Sequence, residues 1–293
     1  MNRKLMSQAK FGVRPGSLRN AQSWLLSPQQ ARGAAAVNAL TATTQRTVLL
    51  QSISMDSDQA GGTVNANGLR VAGLSLNCGD QPIPIGVFSP TAGGTAKAHT
   101  NIGIAINQNT SVSVDAVQSA AGAFGYSIGL LPLEGQIPST EAQSDFYNYI
   151  VGCGTTGVVA AGANGQCQAV VLRGCWLGLV MATNQLGTAV IPDTDIVLTD
   201  LTVNGISMLA GGAAQQIPLS QISPAQSNTD DFILDYWVEA NSIITFSFSN
   251  LSGAANMDVG AAIFCKPYKA PPASASAVAH AAHAKRTGKF KRG

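Results

Sequence analysis

Charged side chains make up only 11% of the 293 residues, where a soluble domain ordinarily gives them about a quarter of its positions. A surface so poor in charge suits packing against like subunits better than free diffusion at high concentration. The plainer reading of the same composition is a β-rich chain with many turns. Aromatic residues are thin too, at 6%, and scattered, which argues against the aromatic-lined cleft of a carbohydrate-binding or hydrolytic β-sandwich. Histidine occurs three times (His99, His280, His283), with no ligand cluster near any of them. None of the five cysteines (Cys78, Cys153, Cys167, Cys175, Cys265) stands in a CxxC pair. Spacing therefore predicts no metal site, and the odd count predicts no disulfide framework.

The signatures of common chemistry are missing as well. There is no Gly-x-Ser-x-Gly elbow and no phosphate-binding loop, so neither of those two chemistries is indicated. Asp193-Thr194-Asp195 and Asp230-Asp231 are carboxylate pairs of a kind that can bind a divalent cation, but solvated turn acids are the simpler reading. We expect no catalytic residue, no cofactor and no enzymatic activity. No uncharged apolar run reaches the length of a membrane span; the nearest, Ala169–Thr183, contains Arg173. No apolar segment of the secretory type follows the basic N-terminal residues, so synthesis in a reducing cytoplasm is the expectation.

What charge there is lies segregated. Residues 1–46 carry Arg3, Lys4, Lys10, Arg14, Arg19, Arg32 and Arg46 and no acid. Residues 266–293 carry Lys266, Lys269, Lys285, Arg286, Lys289, Lys291 and Arg292, again with no acid. The middle keeps only Arg70, Lys97 and Arg173 against all 15 acidic residues, a net charge of −12. An acidic body with two basic ends attracts polyanions at its ends only. Binding of nucleic acid or anionic lipid by such ends is salt-dependent, because each phosphate neutralised releases counterions. A merely solubilising tail is the alternative.

The strongest positive signal is a repeat. Val71-Ala72-Gly73-Leu74-Ser75-Leu76 is matched by Val203-Asn204-Gly205-Ile206-Ser207-Met208. Each run leads into a second piece, 82–90 in one copy and 216–224 in the other, with Pro84 matching Pro218 and Pro90 matching Pro224. Further on, Asn109, Val112, Val114 and Ala116 match Asn241, Ile244, Phe246 and Phe248 in the same register. Long-period similarity of this kind marks duplicated structural units. Gly73 and Gly205 are expected at a bulge, tight bend or close backbone approach. Pro84 and Pro218 belong at the first residue of a strand or on an edge, because proline cannot donate to a ladder. The motif is punctuation for strands and carries no shared reactive side chain.

From Thr47 onward, short β-type runs broken by Gly, Pro and Asn recur at the spacing of a sandwich or barrel. The expected strands of the first half are 47–55, 68–76, 83–88, 101–106, 110–117 and 123–131. Those of the second are 169–181, 196–203, 206–209, 232–238, 243–248 and 259–264. Before them, Ser27-Pro28-Gln29-Gln30 reads as a helix start for a short helix over 31–40. Residues 139–150 read as a second helix and 152–165 as a glycine-rich loop.

Two tandem β-sandwich units with a basic N-terminal arm and a basic C-terminal tail resemble the double jelly-roll major capsid proteins of tailless icosahedral viruses, particularly the small membrane-containing bacteriophages. The resemblance implies an all-β fold of two tandem jelly rolls with short helices and basic terminal arms. A single larger jelly roll with a basic arm is the alternative. The corresponding division is an arm at 1–46, a first roll at 47–151, a second at 152–268 and an Ala-rich basic tail at 269–293. The resemblance also implies homotrimeric, pseudo-hexagonal capsomers that contact neighbouring capsomers and other virion proteins. Arg3, Lys4, Lys10, Arg14, Arg19, Arg32, Lys285, Arg286, Lys289, Lys291 and Arg292 would then face an internal membrane or genome. A virion accessory protein (decoration, vertex or fibre) is the second reading and a carbohydrate-binding β-sandwich the third.

Overall fold

The computed structural model describes residues 23–26, 30–31, 37–45, 47–57, 62–88, 104–118, 123–132, 147–186, 194–210, 216–224 and 232–266. Nineteen strands lie in these segments. The first ten are β1 (Ser23–Leu26), β2 (Gln30–Ala31), β3 (Val37–Thr43), β4 (Val48–Ser57), β5 (Gly62–Val71), β6 (Leu74–Ser75), β7 (Ile83–Pro84), β8 (Ile104–Ile106), β9 (Ser111–Gln118) and β10 (Ala123–Pro132). They form two antiparallel sheets, one ordered β1-β10-β4-β8 with β2 also on β10, the other β3-β9-β5-β6 with β7 also on β5. The remaining nine are β11 (Tyr149–Thr155), β12 (Asn164–Val170), β13 (Cys175–Asn184), β14 (Ile196–Val203), β15 (Ile206–Ser207), β16 (Ile217–Pro218), β17 (Ile233–Val238), β18 (Ile243–Asn250) and β19 (Val259–Lys266). These form sheets ordered β11-β19-β13-β17 and β12-β18-β14-β15, with β16 also on β14.

The two halves have one topology. If the strand positions of each half are lettered B to I in chain order, counting β1 with β2, β6 with β7 and β15 with β16 as single positions, both halves read B-I-D-G in one sheet and C-H-E-F in the other. That interleaving of two four-stranded sheets is the jelly roll. The chain is therefore all-β, with two jelly rolls in tandem, and the repeat seen in the sequence is a repeat of topology.

Local chemistry explains the shared hairpins. Val71 pairs with Leu74 and Val203 with Ile206, leaving two-residue turns whose central residues all have positive φ: Ala72 at 52°, Gly73 at 77°, Asn204 at 51° and Gly205 at 77°. This is the type I′ geometry that matches the twist of the flanking strands. The expected strand over 68–76 is thus two strands and a tight bend. Pro84 and Pro218 end edge strands and start helical turns, a 3₁₀ turn at Ile85–Val87 and a one-turn helix α1 at Leu219–Ile222. The expected strand over 83–88 is accordingly short, because proline closes the ladder and presets φ for the turn that follows. Pro224 follows α1, while Pro90 lies outside the described residues.

Tertiary pairing overrides three further expectations. Of the helix expected over 31–40, Ala31 lies in β2 and 37–40 lie in β3, which pairs with β9; Val37, Thr41 and Thr43 are β-branched and fit a ladder better than a helix, while 32–36 and the expected helix start at Ser27-Pro28 lie outside the described residues. Segment 23–43 of the expected arm thereby supplies strands to both sheets of the first roll. The helix expected over 139–150 gives way at its end to β11, which starts at Tyr149 and pairs with β19; residues 139–146 lie outside the described residues. The loop expected over 152–165 holds the rest of β11 and the start of β12. Likewise the single strand expected over 169–181 is broken at 171–174 into β12 and β13.

The second roll closes on a core that includes Leu177, Val180, Leu201, Ile244, Phe246, Phe248 and Ile263. In β19 the residues alternate between two cores: Val259, Ala261, Ile263 and Cys265 face this one, whereas Ala262 and Phe264 join the core of the first roll. A bulge between Leu177 and Leu179 resets the phase of β13 in the same way, so Leu177 and Val180 point inward and Leu179 and Met181 point toward the first roll. Strands β13 and β19 of this sheet are therefore buried on both faces, which is why they read as apolar runs without alternation, whereas β17 at the sheet edge is largely exposed. Among the described residues no helix is long and apolar enough to cross a membrane.

Candidate functional site

The most elaborate arrangement of polar and reactive groups lies where the two rolls meet. The segment after β6 runs as an extra strand against the second roll, with Asn77 bridged to Ile150 and Gly79 to Val171. The Cys78 amide donates to the Ile150 carbonyl (2.8 Å), and the Leu172 amide donates to the Cys78 carbonyl (2.7 Å). Asn77 is 1% exposed and its side chain knits the joint. Its Oδ1 accepts from the amides of Gly79 (2.9 Å) and Gly152 (3.0 Å), and its Nδ2 donates to the Gln81 carbonyl (2.7 Å). Asp80 Oδ1 accepts from the Val170 amide at 2.8 Å. The backbones approach so closely that a Cβ on Gly79 would stand 2.6 Å from the Gly152 carbonyl oxygen, which explains the pair of glycines. Beside this seam, Phe264 lies edge-on to Phe88 with ring centres 6.0 Å apart.

Three thiols converge at one end of the joint. Cys78 comes from the first roll's segment, Cys175 opens β13 and Cys265 lies near the end of β19, opposite Leu177 and Tyr149. All three are buried, their sulfur atoms lie within 4.8 Å of one another, and Cys78 Sγ stands 3.9 Å from Cys175 Sγ. Arg173 lies alongside; its Nη2 donates to the Ser75 carbonyl (3.1 Å) and its guanidinium sits 4.8 Å from the centre of the Tyr149 ring. Hydrogen bonds from the Cys265 and Cys78 thiols, helped by the charge of Arg173, hold the Cys175 thiol below the ordinary range. Burial holds Cys265 well above it. Cys153 and Cys167 are also buried and free, with burial pushing Cys167 up to about 12.

Of the residues expected to matter, the structural ones are placed: Gly73 and Gly205 in the matched turns, Pro84 and Pro218 on matched edges. The basic residues Arg3, Lys4, Lys10, Arg14, Arg19, Arg32, Lys285, Arg286, Lys289, Lys291 and Arg292 lie outside the described residues, as do His99, Asp193, Asp230 and Asp231. Spacing missed the thiol cluster, since its members are 97 and 90 residues apart. The only trace in the sequence is parity. Cys175 sits two residues from the apolar Leu177 and Cys265 two from Ile263, and both become meaningful only once β13 and β19 are paired in register.

No family model and no curated protein sequence matches the chain. Among solved structures, a crystal structure of the STIV major capsid protein is similar with a TM-score of 0.34 at 13% identity, covering 86% of this chain and 99% of that one. A likeness that slight carries no weight for function, and the fold assignment stands on the strand order alone.

Proposed function

We propose that this chain is a major capsid protein: three copies form a pseudo-hexagonal capsomer, and capsomers tile into an icosahedral virion shell. The observation that carries the reading is the duplicated B-I-D-G and C-H-E-F topology within one chain, joined by a core that both rolls share. Three copies of a two-roll unit place six similar rolls around a threefold axis, which is a tile for a hexagonal lattice. Fold alone does not fix function, but three features favour the shell reading over a ligand-binding sandwich. Charge is scarce on the body and concentrated in the ends. The equivalent hairpin tips of the two rolls each present a large apolar residue, Leu74 (68% exposed) and Ile206 (61% exposed). Apolar Ile233 and Tyr236 stand exposed on β17, a sheet-edge strand of the sort that invites pairing with another chain.

In this reading the protein is a non-enzymatic virion component made in the host cytoplasm, its basic ends turned toward an internal membrane or the genome. The test is assembly of the full chain, followed by analytical ultracentrifugation and electron microscopy across a range of salt concentrations. Trimers that pack into hexagonal sheets or closed shells are expected. A stable monomer at high concentration in every salt would overturn the proposal, and trimers that never tile would favour the accessory-protein reading instead.

A further inference from the structure

We propose that Cys78, Cys175 and Cys265 form a three-thiolate site for a divalent cation of the zinc class, which fastens the first roll's connecting segment to two strands of the second. The geometry carries the assignment. Zinc–sulfur bonds of about 2.3 Å in a tetrahedral set separate neighbouring sulfurs by roughly 3.8 Å. The Cys78–Cys175 separation of 3.9 Å already matches that spacing, and the third sulfur lies within 4.8 Å of both. A shift of about 1 Å or less therefore completes the set, within the reach of χ1 adjustments. Thiolates are soft ligands that favour zinc and copper(I) over magnesium or calcium.

Charge selects the divalent ion. Three thiolates around a 2+ ion leave a net charge of −1, and Arg173, two residues before Cys175 and with its guanidinium 4.8 Å from the ring centre of Tyr149, the residue paired with Cys265, balances it. A monovalent copper ion would leave −2 against the same single arginine. Binding is not a redox step: three thiols release three protons, the cation exchanges three of its waters for three sulfur bonds, and a water keeps the fourth position. Because one sulfur belongs to the first roll's segment and two to the second roll, the ion would act as a staple across the joint. The proposal is independent of the shell reading, since a joint of this kind needs stabilising whatever the chain does.

Cobalt(II) is the probe, used on the full chain refolded under reducing conditions. One equivalent per chain should produce sulfur-to-cobalt charge transfer in the near ultraviolet and the visible bands of tetrahedral cobalt, and one equivalent of zinc should abolish both. Cys78→Ser and Cys265→Ser should lose the bands, whereas Cys167→Ser should keep them. Should the serine variants fail to fold, alkylation mapping of the unaltered chain decides. Zinc should protect Cys78, Cys175 and Cys265 from alkylation during partial unfolding and leave Cys153 and Cys167 unprotected. A folded chain with no cobalt–sulfur absorption, bands that survive Cys78→Ser, or equal protection of all five cysteines would each overturn the proposal.

Discussion

Replacing Asn77 with alanine tests the idea that the two rolls are held as one unit by a buried polar seam. The substitution removes an acceptor shared by the Gly79 and Gly152 amides and a donor to the Gln81 carbonyl. Both glycines are buried, while Gln81 is only half-buried, so water can reach its carbonyl but not readily the two amides. Leaving a buried donor unpaired costs about 1–3 kcal/mol, so two amides give roughly 2–6 kcal/mol, with about 4 as the central expectation. Total stabilities of single domains run from about 5 to 15 kcal/mol, so the loss should be plain in urea denaturation. Unfolding is followed both by far-ultraviolet circular dichroism, which sees every strand, and by the fluorescence of the tryptophans, two of which (Trp176 and Trp237) lie in the second roll. The two probes should give one coincident transition, shifted to lower urea in the variant. A loss below about 1 kcal/mol would refute the reasoning.

Three other outcomes follow from the same structure. Ala72 holds φ at 52° on an exposed turn where the second roll has Asn204; Ala72→Asn should stabilise the chain by about 0.5–1 kcal/mol, read as a raised denaturation midpoint, and a lowered one would contradict the turn assignment. Burial raises the carboxyl of Asp258 above its ordinary range, against opposing hydrogen bonds from Thr155 and Gly157, and its Oδ1 is buried without a partner. A carboxyl raised on folding binds its proton more tightly in the folded chain, so its contribution is favourable in acid and lost as pH rises through the raised value. Asp258→Asn should therefore stabilise the chain at neutral pH and do so less in acid, and a uniform effect across pH in thermal melts would count against it. Deleting residues 285–293 should weaken binding to anionic vesicles or nucleic acid and flatten its salt dependence, and an unchanged salt slope would show that the tail is not the contact.

The order of strands was legible in part. Matched hairpins at Val71 and Val203, and matched alternation in β9 and β18, exposed the duplication because a half-buried strand writes its two faces into sequence as period two. That writing fails where both faces are buried, so β13 and its neighbours merged into one apolar run and the break at 171–174 went unseen. It also fails where strand pairing overrides an expected helix, as over 37–40, which pair with β9. The joint was the least legible feature. Asn77, Gly152 and the three thiols belong to segments far apart in the chain, and no local pattern marks residues whose partners are supplied by topology.

The position of β19 has a consequence for how the molecule is made. It is the last described strand, yet it lies inside its sheet, pairing with both β11 and β13, and it carries Ala262 and Phe264 into the first roll's core. On the ribosome the first roll has all its described strands once residue 132 has emerged, so it can form as a unit ahead of the second. The flank that holds Phe88 then waits for Leu179 and Met181 of β13 and, last, for Phe264, whose ring packs edge-on against it. A chain interrupted before that point would carry a completed first roll with an uncovered apolar flank, so translation through β19 is the step that makes the protein safe from premature association.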